Sequence, residues 1–275
     1  MMVAPTGDDL EGEVLVQRPC PGVAMIVLSR PNARNALGWS MWYELHRAVA
    51  EVAADGEVRA VVLAGAGGVF SAGGDLKSSP ARGAGQLAPA ARLELGQRVV
   101  SMLYRLPKPT VAAVEGFAVG VGWSLVLACD LVICANNAFF SAPFTERGLV
   151  PDGGAAWLLV QRLGHHRAAS AVLLGERLSA TSASQQGIVS RLVDPGKAET
   201  EAVAVASELA GRSGDALRLA KDLLRVAPEV SFDGFLGHEL LAAALAAGGP
   251  DAKEGRAAFA EGRPPRYPPG LESTS

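Results

Sequence analysis

The chain is poor in cysteine, with three in 275 residues: Cys20, Cys129 and Cys134. No C-x-x-C pair occurs, which argues against a disulfide framework and a thiolate zinc site. The expectation is three reduced thiols in a cytoplasmic protein. The chain also lacks an excess of positive charge. With 25 Lys+Arg against 28 Asp+Glu, the formal net charge is −3, the wrong sign for a surface that neutralises nucleic-acid phosphates. No membrane span is expected either: the most apolar stretch, residues 117–135, is broken by Gly120, Gly122 and Asp130 and reads as buried core. The N-terminal MMVAPTGDDLEGE is acidic, has no apolar run, and is not expected to be a signal peptide. His46, His165, His166 and His238 show no metal-ligand spacing, so no metal site is expected.

What is present is apolar content, 49% hydrophobic against 19% charged, which excludes a disordered chain. Residues 14–16 and 23–28 read as strands joined by a Pro21-Gly22 turn. Ser40 is expected to cap a helix whose apolar face is Met41, Leu45, Ala48, Val49 and Val52, with Gly56 ending it. Residues 60–64, 110–114 and 131–134 are short continuous apolar runs, the mark of strands buried on both faces. Helices are expected over 92–105 and 120–129, and a Gly- and Ser-rich loop over 65–85. Strands alternating with helices predict an α/β fold with a parallel sheet. Beyond residue 163 the chain turns helical (166–174, 198–211, 214–226, 234–246, 251–260), with one strand signal at 188–193. His165 and His166 fall at a helix start, and the four-proline tail from Arg263 reads as extended.

Two glycine loops stand out. Phe70-Ser71-Ala72-Gly73-Gly74-Asp75-Leu76 follows a buried strand, and Glu115-Gly116-Phe117-Ala118-Val119-Gly120-Val121-Gly122 joins a strand to a helix. Such loops let backbone approach a ligand, and a helix start near Gly120 presents free N–H groups. Together they form either an oxyanion hole, worth roughly 3 kcal/mol per donor in the transition state, or a pair of ordinary tight turns. Other templates fail: Gly120-Val121-Gly122-Trp123-Ser124-Leu125 is not a dinucleotide fingerprint, no phosphate-binding P-loop is present, and Ser124 does not sit in a nucleophile elbow.

RPNARNAL (30–37), FSAGGDL (70–76), KPTVAAVEGFAVGVGWSLVLACD (108–130), GLVPDGGAAWLL (148–159) and EGRAAFAEGRPP (254–265) together resemble the enoyl-CoA hydratase/isomerase, or crotonase, superfamily. The resemblance implies a crotonase-like spiral of ββα units over residues 1–195 and a helical trimerisation region over 196–275. It implies a homotrimer or dimer of trimers, and an acyl-CoA thioester as substrate, with coenzyme A part of that substrate and no separate cofactor. Ala72 and Val121 match the positions whose backbone N–H groups bind the thioester oxygen. Ala33, Arg34, Ala36, Gly73, Asp75 and Leu76 fall in the segments that contact coenzyme A. Asp75 is expected to hold its loop, and Arg34 either meets phosphates or is a solvated surface arginine.

The departures from the family pattern bear on the chemistry. The two Glu of hydratases would fall at Ser124 and Phe144, and neither is a carboxylate. Asp152, in Val150-Pro151-Asp152-Gly153-Gly154, matches a position where some isomerases place an acid, and where aryl-CoA dehalogenating relatives carry a nucleophile. Asp152 therefore either shuttles a proton between two carbons of an enolate or caps the helix over 155–163. Glu146 is the fallback carboxylate, or a surface partner of Arg147. Glu115 is expected to be a paired structural acid. Trp123 and Trp157 are either pocket walls or core. Double-bond isomerisation is the leading expectation and hydration the alternative. A third, non-catalytic reading is acyl-CoA or RNA binding. The RNA case is weakened because helix 92–105 offers Arg92, Arg98 and Arg105, no Lys, and an offsetting Glu94.

Overall fold

The computed structural model describes residues 12–83, 85–86 and 88–267. The start of the N-terminal segment discussed above and the end of the proline tail lie outside them. Strands β1 (Glu13–Cys20) and β2 (Val23–Ser29) form a hairpin at Pro21-Gly22, where Gly22 adopts φ +77°, a conformation that favours glycine. Helix α1 (Trp39–Ala54) leads to β3 (Ala60–Gly65), and α2 (Ala91–Tyr104) to β4 (Thr110–Val114). Next come β5 (Phe117–Val119), α3 (Val121–Ala128), β6 (Leu131–Ala135) and β7 (Phe139–Ser141). Helices α4 (Ala155–Leu163) and α5 (His165–Leu173) follow, then β8 (Leu178–Ser179), α6 (Ala180–Gln185) and β9 (Arg191–Val193). The chain continues through α7 (Ala198–Ala210), α8 (Gly214–Val226), α9 (Phe232–Gly248) and α10 (Pro250–Ala260).

The main sheet has six strands in the order β1-β2-β3-β4-β6-β9, parallel except for the β1–β2 pair. Registers Val23↔Ala60, Val61↔Thr110 and Val111↔Leu131 lock its centre. A second sheet, β5-β7-β8, has three strands. Alternation along β2 shows why the strand runs are continuously apolar. Ala24, Ile26 and Leu28 enter the larger core with α1, α2 and α3, whereas Val23, Met25 and Val27 face α7. Helix α7 meets the sheet through Ala198, Ala202, Ala206 and Ala210, one residue per turn, so only methyl groups separate its backbone from the strands. The sheet core therefore draws on residues beyond 195.

Several local expectations are corrected. Ser40 is not a cap: α1 begins at Trp39 behind Gly38, and Ser40 is buried within the first turn. The Trp39 indole donates to Ser79 O at 3.0 Å, which draws the helix start inward. Short β5, β7 and β8 were not foreseen, because strands of two or three residues carry no period. The signal at 188–193 yields a strand only at Arg191–Val193, while Ile188 and Val189 are buried in the turn before it. Trp123 is core, stacked on Phe140, and Trp157 is half-exposed with its edge against Tyr104. Glu115 is paired as expected: its Oε1 accepts from Ala198 N–H at 2.9 Å, at the start of α7. Burial pushes the Cys129 and Cys134 thiols up to about 12, so both stay protonated. No described helix is long and apolar enough to cross a membrane.

Candidate active site

The two glycine loops meet above the strand ends. Gly73 has φ +91°, and a Cβ there would fall 2.6 Å from Val119 O and 3.5 Å from Gly120 Cα. Close approach thus requires glycine at Gly73. The first loop is tied to residues 30–37 by Leu37, whose N–H donates to Gly73 O at 2.8 Å and whose carbonyl accepts from Asp75 N–H at 3.1 Å. A planar trans peptide points its N–H away from its own C=O. Holding Gly73 O on Leu37 therefore turns the Gly74 N–H to the opposite side. In the second loop, Gly120 O accepts from Trp123 and Ser124 N–H groups, which turns the Val121 N–H out of the first turn of α3. Among the described residues, neither the Gly74 nor the Val121 N–H has a protein acceptor.

This geometry corrects one expectation. The Ala72 N–H donates to Arg34 O at 2.9 Å, so it is occupied; the open donor of the loop is Gly74. Val121 holds the second open donor.

Asp152 stands beside α3. A Cβ on Gly153 would lie 2.7 Å from Val121 Cγ2 and 3.2 Å from Ser124 Cβ, so glycine lets this turn press against the helix. Ser124 Oγ donates to Asp152 O at 3.1 Å. The Asp152 carboxylate does not cap α4, whose flanking residue is Gly154. Its Oδ1 is buried without a hydrogen-bond partner. Burial raises the carboxyl to about 6, against the pull of Arg92 and its own backbone N–H. Phe144, at the second expected acid position, packs over Gly120.

Asp75 holds its loop. Oδ2 accepts from Arg30 Nη1 at 2.7 Å and Oδ1 from Lys77 N–H at 2.8 Å. Burial pushes this carboxyl up, but these partners outweigh it and leave its pKa below the usual value. Arg92 was read only as one of three arginines on helix 92–105, offset by Glu94. Instead Glu94 pairs with Arg98 on the exposed side, and Arg92 is 7% exposed. It donates from Nη2 to Asp75 O (2.7 Å) and from Nη1 to Ser78 Oγ (2.6 Å) and Ser78 O (3.2 Å). The signal was available: Arg92 shares a helical stripe with the buried Leu95, Val99 and Leu103. Asn35 was also missed as a hub. It is fully buried in the left-handed region and donates to Ala66 O and Val69 O while its Oδ1 accepts from Arg30 N–H.

A cleft of about 1590 Å³ runs along these loops. Ala33, Arg34, Ala36, Ala72, Gly74, Asp75 and Leu76 line it, together with Lys77, Arg147 and Arg177. Gly73, Val121 and Asp152 are not among its lining residues. Glu146 also lines it, against Gly175. No described cluster of His, Cys, Asp and Glu could hold a metal ion.

A parallel sheet carrying two opposed amide loops over its strand ends, with a helical C-terminal region, is the crotonase class of fold. The chain belongs to the enoyl-CoA hydratase/isomerase family, whose model matches residues 20–269. It is 38% identical over 246 residues to a putative enoyl-CoA hydratase of Thermus thermophilus, covering 89% of this chain and 97% of that one. It is 34% identical over 251 residues to the 1,2-epoxyphenylacetyl-CoA isomerase of Escherichia coli, covering 90% and 95%. Among solved structures, an enoyl-CoA hydratase from Polaromonas sp. JS666 superposes with a TM-score of 0.88 at 34% identity, covering 94% of this chain and all of the other.

Proposed function

We propose that the protein isomerises the double bond of an enoyl-CoA thioester. The observation that carries this reading is Asp152: one half-buried carboxylate with an unpaired buried oxygen, at a site where Ser124 and Phe144 supply no second acid. The thioester carbonyl would accept from the Gly74 and Val121 N–H groups, which are preorganised for the charge that develops on it. Asp152 would take a proton from the α carbon next to the thioester, giving the enolate, and return it at the γ carbon. One base suffices because the proton leaves and returns on one face. Hydration has to activate water and protonate carbon, work that two carboxylates share. Arg34 and Lys77 suit the phosphates of coenzyme A at the mouth of the cleft.

Hydration remains the second reading, supported by the name of the Thermus relative. Incubating a 3-enoyl-CoA and the matching 2-enoyl-CoA with pure protein separates the two by mass spectrometry. Isobaric interconversion supports isomerisation; a product heavier by one water overturns it. Asp152→Asn retaining full activity would also overturn it.

The same reading extends to assembly. Phe232, Leu240, Leu241 and Leu245 of α9 are exposed in the single chain, a set of large apolar side chains of the kind that marks a contact surface. A trimer or dimer of trimers would cover it.

A further inference from the structure

Arg92 is placed to act on both halves of this site. Its guanidinium is buried at the start of α2 and bound to three oxygens of the segment that follows Gly74: Asp75 O, Ser78 O and Ser78 Oγ. Its backbone N–H donates to Pro80 O at 3.1 Å, and Trp39 holds Ser79 O from the other side. The loop carrying one open amide is therefore anchored by α2. Helix α2 also packs on α3, which carries the other amide and touches the Asp152 turn.

The charged surroundings of Asp152 are simple. Helix α3 contributes no ionisable side chain, only Ser124 Oγ. Helix α4 carries Arg162 in its last turn. In the turn before Asp152, Arg147 donates to Pro143 O and Glu146 lies against Gly175. Burial raises the Asp152 carboxyl, and the positive charge of Arg92, on the helix packed against α3, opposes that rise.

We propose that Arg92 is a positioning residue of the reaction, fixing the oxyanion loop through Asp75 and Ser78 while keeping its positive charge within electrostatic reach of the base, Asp152. The proposal rests on the isomerase reading above. A buried cation that serves only as a loop anchor could be replaced by any donor of similar reach. One that also sets the base could not lose its charge without changing the pH at which Asp152 is ionised.

The test is the pH profile of kcat/KM for isomerisation of a 3-enoyl-CoA in Arg92→Met, Arg92→Gln and Arg92→Lys, with Asp152→Asn as reference. Both neutral variants should move the acid limb upward by about one pH unit. Their activity relative to wild type then falls about fivefold further at pH 6 than at pH 8. Arg92→Lys should keep the wild-type limb, although its kcat falls as the Ser78 contacts loosen. Arg92→Gln retains a donor, so it serves if Arg92→Met does not fold. The protonated-carboxyl infrared band that Asp152→Asn removes should persist to higher pH in the neutral variants, a readout independent of turnover. A uniform loss of kcat with an unmoved limb and an unmoved band would overturn the proposal, leaving Arg92 a loop anchor. An active Asp152→Asn would instead remove the isomerase reading itself.

Discussion

Asp152→Asn should abolish isomerisation and stabilise the fold, and the second effect can be worked out from the structure. Burial raises the Asp152 carboxyl from 3.8 to about 6, so the folded state holds this proton more tightly than the unfolded chain does. Below about pH 3.8 both states are protonated and the residue has no effect on stability. Between there and about pH 6 the unfolded chain loses its proton first, and the folded state becomes progressively less favoured. Above about 6 the penalty is complete. Two pH units correspond to nearly 3 kcal/mol, or on the order of 2 kcal/mol once the solvent still reaching this half-buried residue is allowed for. Asparagine has a similar shape and no charge, so it removes the penalty. Urea unfolding of wild type and Asp152→Asn at pH 8 and pH 4 measures the effect. The variant should gain about 2 kcal/mol at pH 8 and about 0.5 kcal/mol or less at pH 4. An equal gain at both pH values, or none at pH 8, would refute the buried, unpaired carboxylate. Turnover should fall by at least about 100-fold, the usual contribution of a positioned base.

Gly73→Ala places a methyl 2.6 Å from Val119 O at φ +91°; the two amide loops must part, and kcat should fall about 100-fold in steady-state assays. Asp75→Asn breaks the buried pair with Arg30 and should cost about 2 kcal/mol near neutral pH. Because the Asp75 pKa is lowered in the fold, wild type should itself lose this contribution as acid titrations pass below about 3.8. Lys221→Met removes the ammonium that donates to Asp130 Oδ2 at 2.6 Å and Lys108 O at 3.0 Å. That contact docks α8 on the core, and its loss should cost about 2 kcal/mol in denaturant unfolding. Leu240→Asp with Leu245→Asp should yield monomers in sedimentation velocity.

The sheet was legible because its central strands are buried on both faces. Such strands must be continuously apolar, and residues 60–64, 110–114 and 131–134 fall at β3, β4 and β6. The cap of α1 was misread because Ser40 fits a capping rule, while the tertiary pull of Trp39 onto Ser79 decided the start. The site was half legible. Glycine patterns located both loops, but which amide is open depends on where each carbonyl is tied. The resemblance pointed to Ala72, yet its N–H is spent on Arg34 O. Whether Asp152 caps a helix or keeps a bare carboxylate depends on where α4 begins, behind Gly154 rather than Asp152, which spacing does not encode. The inward position of Arg92 was not read, because its charge was counted without the helical register that sets it beside Leu95, Val99 and Leu103.

Leu37 binds Gly73 O through its N–H and Asp75 N–H through its carbonyl. The segment that would grip the carrier half of the substrate and the amide that would face the reacting carbonyl thus form one rigid unit. A handle seated against Pro31–Arg34 would therefore hold the catalytic amide in place as well as add affinity. A thioester trimmed to a short N-acetylcysteamine arm should lose turnover at saturation, beyond its weaker binding.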